Sequence, residues 1–241
     1  MSEVLIPKTH MFNTRRPSML ILHGTEVDAQ QSHEILSGNT DREASAHYLI
    51  EEDGKIVQYL DEGVRAWHAG LSYWSGFSDI NSASIGIELV CLSKDGSFNG
   101  AESKYTPAQM TSLIDLCREI LARHKIPAYH VLAHQDIAPG RRFDPGIHFD
   151  WQNLAQHGIG VWHDLEPQAD DFVITDQAEI QMFHLGLSLY GYAQEAFDDQ
   201  PFSEVIRAFQ SHFLPWNVCG EVTVQSVAAL GILLGKKHGR V

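Results

Sequence analysis

Apolar residues in the first 165 positions form short strand-like runs separated by polar turns. The runs at 19–22 and 131–133 are apolar throughout, as expected for strands that are covered on both faces of a sheet. Residues 84–89 alternate strictly between apolar and other side chains, which is the two-residue period of a half-buried strand. Residues 48–50 and 56–59 flank an Asp-Gly turn, so they predict a β-hairpin.

One strong helix signal lies between these strands. Thr106 and Gln109 form a capping-box pair, and Pro107 suits the first helical position. Apolar residues then recur at helical spacing from 110 to 121, and Pro127 follows the end of the helix. The pattern predicts an α/β (α+β) domain with a mixed central β-sheet flanked by helices.

The pattern changes after about residue 165, where only helix signals remain. Residues 160–175 are acidic and lack an apolar period, as in a linker or a surface crossing. Asp176, Ser203 and Thr223 each stand where they can cap a helix that carries apolar residues. We therefore predict a domain at 1–165 and a three-helix bundle at 166–241, which is too small for a large core and should lean on the first domain.

Composition narrows the classes of function. Lys and Arg number 17 and Asp and Glu number 31, which gives a net charge of −14. This acidic balance argues against nucleic-acid binding, which needs clustered Lys and Arg, and against electrostatic docking on anionic membranes. No apolar run is long enough to span a bilayer, and three scattered cysteines do not predict a disulfide framework.

Two of the apolar runs end in a histidine, namely His23 and His134. If these strands are neighbours, both imidazoles meet at one sheet edge, and the Pro- and Gly-rich loop after His134 can fold Asp144 back toward them. Two histidines and one carboxylate would leave the fourth position of a tetrahedral zinc open, as in a hydrolytic site. Most single strand-end histidines are exposed or hydrogen-bonded, so spacing alone leaves both interpretations open.

Glu88 lies on the face of its strand that carries Ser84 and Gly86. These small neighbours leave room for a substrate or a water molecule, so Glu88 could accept a proton from that water and later return it to a leaving amine. Without the histidine pair, a solvated glutamate on an exposed sheet face would be the better interpretation.

At these residues the sequence resembles the zinc-dependent N-acetylmuramoyl-L-alanine amidases, whose fold is shared with phage T7-type lysozyme and peptidoglycan recognition proteins. The likeness spans roughly residues 15 to 165, and it rests on several motifs that occur in the expected order. Those motifs are Leu20-Ile21-Leu22-His23, Ser45-Ala46-His47-Tyr48-Leu49-Ile50, Ala66-Trp67-His68-Ala69-Gly70, Ser84-Ile85-Gly86-Ile87-Glu88-Leu89, His134-Gln135-Asp136-Ile137-Ala138-Pro139-Gly140-Arg141, Asp144-Pro145-Gly146 and Phe149-Asp150-Trp151.

The resemblance implies a role for each matching position. His23, His134 and Asp144 match the zinc ligands, and Glu88 matches the catalytic glutamate. Arg142 stands where many members have a lysine that stabilises the oxyanion, and arginine keeps the charge while changing its shape and reach. Ala46 replaces a tyrosine of the phage enzyme, which excludes a mechanism that needs that tyrosine.

Two further regions bear on the substrate. Trp67, His68, Trp74 and Asn81 lie in or after the Trp-His-Ala-Gly motif and predict an aromatic groove with amides that suits a sugar-peptide ligand. Trp67 could equally pack under its own loop. The last third resembles the three-helix peptidoglycan-binding module of such amidases, although its aromatic residues fit a helix core better than a glycan contact.

The resulting hypothesis is a zinc hydrolase of bacterial cell-wall degradation or muropeptide recycling. It would cleave the amide bond between the lactyl group of N-acetylmuramic acid and L-alanine in peptidoglycan or its fragments. A recognition protein without catalysis and a zinc peptidase acting on stem peptides are the alternatives. The first 16 residues show no apolar signal region, which favours the cytoplasm, where wall fragments are recycled. The C-terminal module instead favours action on intact wall in the periplasm, which the protein would reach by a non-standard export route or as a delivered toxin.

Overall fold

The computed structural model describes residues 17–91 and 104–239, so the N-terminal stretch considered above lies outside the described residues. Within them, five strands form one sheet in the order β3-β2-β4-β1-β5. The strands are β1 (Met19–Gly24), β2 (Tyr48–Ile50), β3 (Ile56–Gln58), β4 (Ser84–Leu89) and β5 (Val131–Ala133). All were predicted from the apolar pattern.

The sheet is mixed, as predicted. β1 lies between β4 and the edge strand β5 and pairs in parallel with both, whereas β2 pairs in parallel with β4 and antiparallel with β3. The registers of the β1–β4 and β1–β5 pairs determine where the candidate site residues lie. His23 of β1 is paired with Glu88 of β4, and Leu22 is paired with Ala133, so His23 and His134 follow at the same edge.

The helices of the described residues cover the sheet and build the C-terminal part. They are α1 (Ala29–Leu36), α2 (Ile80–Ala83), α3 (Pro107–Arg123), α4 (His134–Ile137), α5 (Trp151–Gln156), α6 (Gln177–Tyr190), α7 (Ser203–Phe213) and α8 (Val224–Lys237). In this part of the chain, no helix combines the length and the apolar character that crossing a bilayer requires.

The predicted helix starts hold with one correction. Thr106 and Gln109 form the expected reciprocal capping box, and Asp176 and Thr223 cap α6 and α8 through their side chains. Ser203, predicted as a cap, is instead the first residue of α7, and Phe202 precedes it without a side-chain cap bond. Packing of the apolar face of α7 therefore fixes its start, since no polar cap does so.

The three C-terminal helices form a small bundle that packs against the sheet domain, and the two parts share one buried core. Trp74, from the loop before β4, is fully buried and contacts the rings of Tyr190 and Tyr192. Phe197 donates its backbone N–H to the carbonyl of Pro139 at 3.0 Å. The bundle therefore buries part of its apolar surface against the sheet domain, as its small size predicts.

Candidate metal centre

Three buried side chains converge at the carboxyl ends of the neighbouring strands β1 and β5. His23 lies near the end of β1, His134 begins α4 directly after β5, and Asp144 comes from the loop that follows α4. One donor atom from each residue lies within 4.8 Å of the other two. The sequence predicted this convergence from the two apolar runs that end in histidine.

The spacing of these donor atoms fits a tetrahedral cation. His23 Nδ1 lies 3.0 Å from His134 Nδ1, and each lies 3.2 Å from Asp144 Oδ2. Zinc–ligand bonds of ~2.0–2.1 Å with tetrahedral angles would place neighbouring donor atoms about 3.3 Å apart. The three atoms therefore match one triangular face of such a site, and the residues that carry them border the cleft.

The outer nitrogens of both imidazoles are already bonded. His134 Nε2 donates to the carbonyl of Ala69 at 3.1 Å, and His23 Nε2 lies 3.0 Å from Nδ1 of His68. In neutral rings with Nε2 protonated, each Nδ1 presents a lone pair toward Asp144. Three electron-rich atoms this close repel one another, and a bound cation would remove that repulsion.

Protonation preferences also suit metal binding. Burial, followed by the charge of His134, lowers the pKa of His23 to about 4, which keeps this ring neutral at pH 7. Burial alone would raise the pKa of Asp144, but the His134 and His23 imidazoles outweigh it and hold that pKa well below its usual range. The site therefore presents a neutral histidine and an ionised carboxylate, the forms that bind zinc.

His68 has a role that the sequence did not predict. It was expected to touch substrate, and it does border the cleft, but its Nε2 lies 3.1 Å from Ser84 Oγ while its Nδ1 faces His23. The Ser84 hydroxyl in turn donates to the carbonyl of Ile80 at 2.7 Å. This chain of hydrogen bonds fixes the tautomer and the ring orientation of His23.

Gly86 leaves the space that the His68 ring occupies, so we expect Gly86→Ala to weaken metal binding. A Cβ at this position would lie 2.5 to 2.8 Å from three atoms of that ring, which would have to move away from His23. We expect the zinc dissociation constant to rise about tenfold, the usual effect of losing an outer-sphere partner. Competition with a chromophoric chelator measures this.

Gly231→Ala is the matched control for this substitution. Nothing lies within 4 Å of a Cβ at Gly231, which is a helical position, so alanine there should leave zinc affinity unchanged and stability equal or higher. Equal zinc affinities in the two variants would contradict the part assigned to Gly86.

Two carboxyl groups border the cleft beside the three candidate ligands. Glu88 is paired with His23 in the sheet, and burial, followed by the charge of Asp144, raises the pKa of Glu88 to about 8. Glu26, which the sequence analysis missed, has a left-handed backbone (φ 63°) and a pKa raised to about 8 by the same two causes. The only sequence signal for Glu26 was its position three residues after His23.

Two neighbouring arginines reach the cleft but differ in their bonding. Arg141 is engaged, since its Nη2 donates to the Ala69 carbonyl at 2.6 Å and its Nε to that of Leu71 at 2.9 Å. Arg142 Nε is buried and has no hydrogen-bond partner among the described residues. Arg142 borders the same cleft as Glu88. Burial is the main cause of the raised pKa of Glu88, and the charges of Arg42 and Arg142 oppose that rise.

The predicted substrate contacts divide into two groups. Trp67 borders the cleft with 51% of its surface exposed, so it does not pack under its own loop. Trp74 is instead buried between Tyr190 and Tyr192, which corrects its assignment to the groove. Asn81 is also buried, and its Oδ1 accepts the backbone N–H groups of the two residues after Trp67, so it holds the loop rather than a ligand.

Comparison with known proteins agrees with this geometry. The model of the N-acetylmuramoyl-L-alanine amidase family matches residues 13–147. The chain is 38% identical to the N-acetylmuramoyl-L-alanine amidase AmiD of Escherichia coli (strain K12) over 242 residues, which is 93% of this chain and 84% of AmiD. It is 36% identical over 153 residues to the 1,6-anhydro-N-acetylmuramyl-L-alanine amidase AmpD of Citrobacter freundii, covering 56% of this chain and 77% of AmpD.

Two solved structures extend the likeness over nearly the whole chain. One is E. coli AmiD in complex with the substrate anhydro-N-acetylmuramic acid-L-Ala-D-gamma-Glu-L-Lys, with a TM-score of 0.77, 33% identity, and coverage of 98% of this chain and 94% of that one. The other is AmpDh3 from Pseudomonas aeruginosa in complex with anhydromuramic pentapeptide, with a TM-score of 0.76, 32% identity, and coverage of 99% and 98%. The C-terminal bundle is therefore included in the shared architecture.

Proposed function

The chain belongs to the N-acetylmuramoyl-L-alanine amidase family, and from this membership we propose that it hydrolyses its substrate with a zinc ion held by His23, His134 and Asp144. The bond cleaved by this family joins the lactyl group of N-acetylmuramic acid to L-alanine. The observation that carries the zinc proposal is the triangle of donor atoms 3.0 to 3.2 Å apart, one face of a tetrahedron beside an open cleft.

The residues around this triangle of donor atoms supply proton transfer and stabilisation of the oxyanion. A zinc ion held by these residues would act as a Lewis acid, which would polarise the amide carbonyl and lower the pKa of a nearby water molecule toward about 7. Glu88 accepts a proton from the attacking water as the new C–O bond forms. Glu88 then gives that proton to the alanine nitrogen as the C–N bond breaks, and Arg142 places its charge beside the oxyanion.

The substrate class follows from the relatives and from the cleft. The solved structures of AmiD and AmpDh3 contain anhydromuramyl peptides, and we propose that this chain acts on the same class of peptidoglycan fragment. Trp67 offers an exposed ring to the sugar or to the first peptide bond. We also propose that the catalytic domain ends near residue 165 and that the bundle after it supports the site more than it binds glycan.

A digest of muropeptides tests this function. The purified chain, loaded with zinc, is incubated separately with anhydro-muropeptides and with sacculi, and the products are identified by mass spectrometry. We expect a free stem peptide that begins with L-alanine and an intact anhydro-sugar, in larger yield from the soluble fragments. Cleavage within the stem peptide would indicate a peptidase, and binding without products would indicate a recognition protein.

The pH profile provides a further prediction, centred on Glu26. Activity that needs the Glu88 carboxylate rises with pH through the pKa of Glu88, so the acid limb of kcat/KM should lie above pH 4.5. A bound cation lowers that pKa, which keeps the limb below about 8. Burial is the first cause of the high pKa of Glu88 and the charge of Asp144 is the second. The charge of Glu26 raises that pKa further. Glu26→Gln removes this charge, so the acid limb should move downward by up to about one pH unit.

The measurement is a series of kcat/KM values between pH 4 and 9 for the unaltered chain and for Glu26→Gln. Glu119→Gln, on the exposed face of α3, is the control and should leave the profile unchanged. An acid limb that stays in place or moves upward in Glu26→Gln would show that the two carboxyl groups are not coupled.

A further inference from the structure

A buried carboxylate lies two residues after His134 and takes no part in the chemistry described above. Asp136 has no exposed surface and accepts three hydrogen bonds. The donors are the backbone N–H of Ala133 at 2.8 Å, the hydroxyl of Tyr192 at 2.7 Å and Nδ1 of His212 at 2.6 Å. A carboxylate has no proton to give, so Nδ1–H of His212 is the donor.

The donors come from both parts of the molecule. Ala133 ends β5 and directly precedes His134, whereas Tyr192 follows α6 and His212 lies in α7. Both C-terminal donors are buried and held by aromatic rings: Tyr192 meets Trp74 with ring centroids 4.9 Å apart, and His212 stacks on Trp151 at 3.8 Å. The bundle therefore presents two rigid donors to a carboxylate beside the metal centre.

The four-residue helix α4 also connects two of the candidate ligands. His134 is its first residue, and the backbone N–H of Gln135 donates to the carbonyl oxygen of Asp144 at 3.1 Å. Asp136 fixes the start of this helix through the N–H of Ala133. A shift of α4 by a few tenths of an ångström would therefore displace two corners of the donor triangle together.

Resting on the proposed zinc function, we propose that Tyr192 and His212 are positioning residues of the metal centre, which act through Asp136 to hold α4 and its ligand His134. The C-terminal bundle is on this account a structural part of the active site. Removing either donor leaves a buried carboxylate oxygen under-satisfied, and α4 must move to find another partner or water.

Zinc affinity and folding stability together test this proposal in the full-length chain. Tyr192→Phe and His212→Phe each remove one donor and keep a ring in place. We expect each to raise the zinc dissociation constant about tenfold and to lower kcat more than it changes KM. Chelator competition gives the dissociation constant, and thermal unfolding of the metal-free chain gives the stability.

Two further variants separate positioning from simple loss of stability. Phe183→Leu weakens the bundle core at a ring that packs on Phe209, so it should lower Tm without changing zinc affinity. His212→Asn keeps a donor near Nδ1 but loses the stacking on Trp151. It should therefore have a lowered Tm and a zinc affinity close to that of the unaltered chain.

The outcomes of the zinc-affinity measurements can be distinguished from those of the muropeptide digest. Unchanged zinc affinity in both Phe variants, with Tm lowered as in Phe183→Leu, would overturn the positioning role. If His212→Phe does not fold, Tyr192→Phe decides alone. If the unaltered chain binds zinc but cleaves no muropeptide, the proposed function fails, whereas the comparison of dissociation constants still tests the positioning role.

Discussion

His134→Ala should lose its zinc, and its activity should fall by at least about a thousandfold. The variant keeps only two of the three donors, and the remaining pair, His23 and Asp144, cannot hold a cation in one geometry. Zinc content after dialysis, measured by inductively coupled plasma mass spectrometry, should fall from about one ion per chain to background. Muropeptide hydrolysis by the same samples should fall in parallel.

His157→Ala is the matched control for His134→Ala, because it removes another histidine of the same chain. His157 is exposed and its Nδ1 lies 2.8 Å from the backbone carbonyl of Asn153 at the end of α5. This variant should keep both its zinc and its activity. A full zinc complement in His134→Ala, with turnover retained, would mean that the metal is held elsewhere or is not needed.

The position of these ligands could be predicted because it depends on local patterns and one simple rule of sheets. Two continuous apolar runs predict buried strands, and strands that pair in parallel bring their carboxyl ends to one edge. Leu22 and Ala133 are indeed paired, so the next residue of each run, His23 and His134, must be neighbours. The loop to Asp144 is long enough to bring its carboxylate back to the same edge, but chain length only permits this return, and the family resemblance is what selects Asp144 as the third ligand.

The surroundings of the ligands could not be predicted in the same way. Trp74 occurs in a loop whose composition fits a binding groove as well as it fits a core. Its burial depends on Tyr190 and Tyr192, which lie more than a hundred residues further along the chain. His68 likewise reaches His23 only because Gly86 leaves space on a neighbouring strand. Contacts between distant segments have no periodic signature in a single sequence.

Glu88→Gln should keep its zinc and lose turnover. Glutamine has the shape of glutamate but cannot accept a proton, and Glu88 is not one of the three converging donors. Removing a general base costs about 10² to 10⁴ in kcat, and here the same group also protonates the leaving amine, so we expect a loss near the upper value. Zinc content and kcat on an anhydro-muropeptide are measured on one preparation.

The pH profile distinguishes loss of a base from a disturbed site. If Glu88 carries the proton, the small residual activity of Glu88→Gln should lack the acid limb that the unaltered chain owes to the raised pKa of this group. Glu119→Gln, an exposed carboxyl change on α3, should retain both kcat and the limb.

Because the side chain of Glu88 shares the cleft with Glu26, the neighbouring carboxyl group could take over the proton transfer. A Glu88→Gln variant that holds zinc and keeps more than about a tenth of its kcat would therefore move the role of base to Glu26, and the double variant would then be the inactive one.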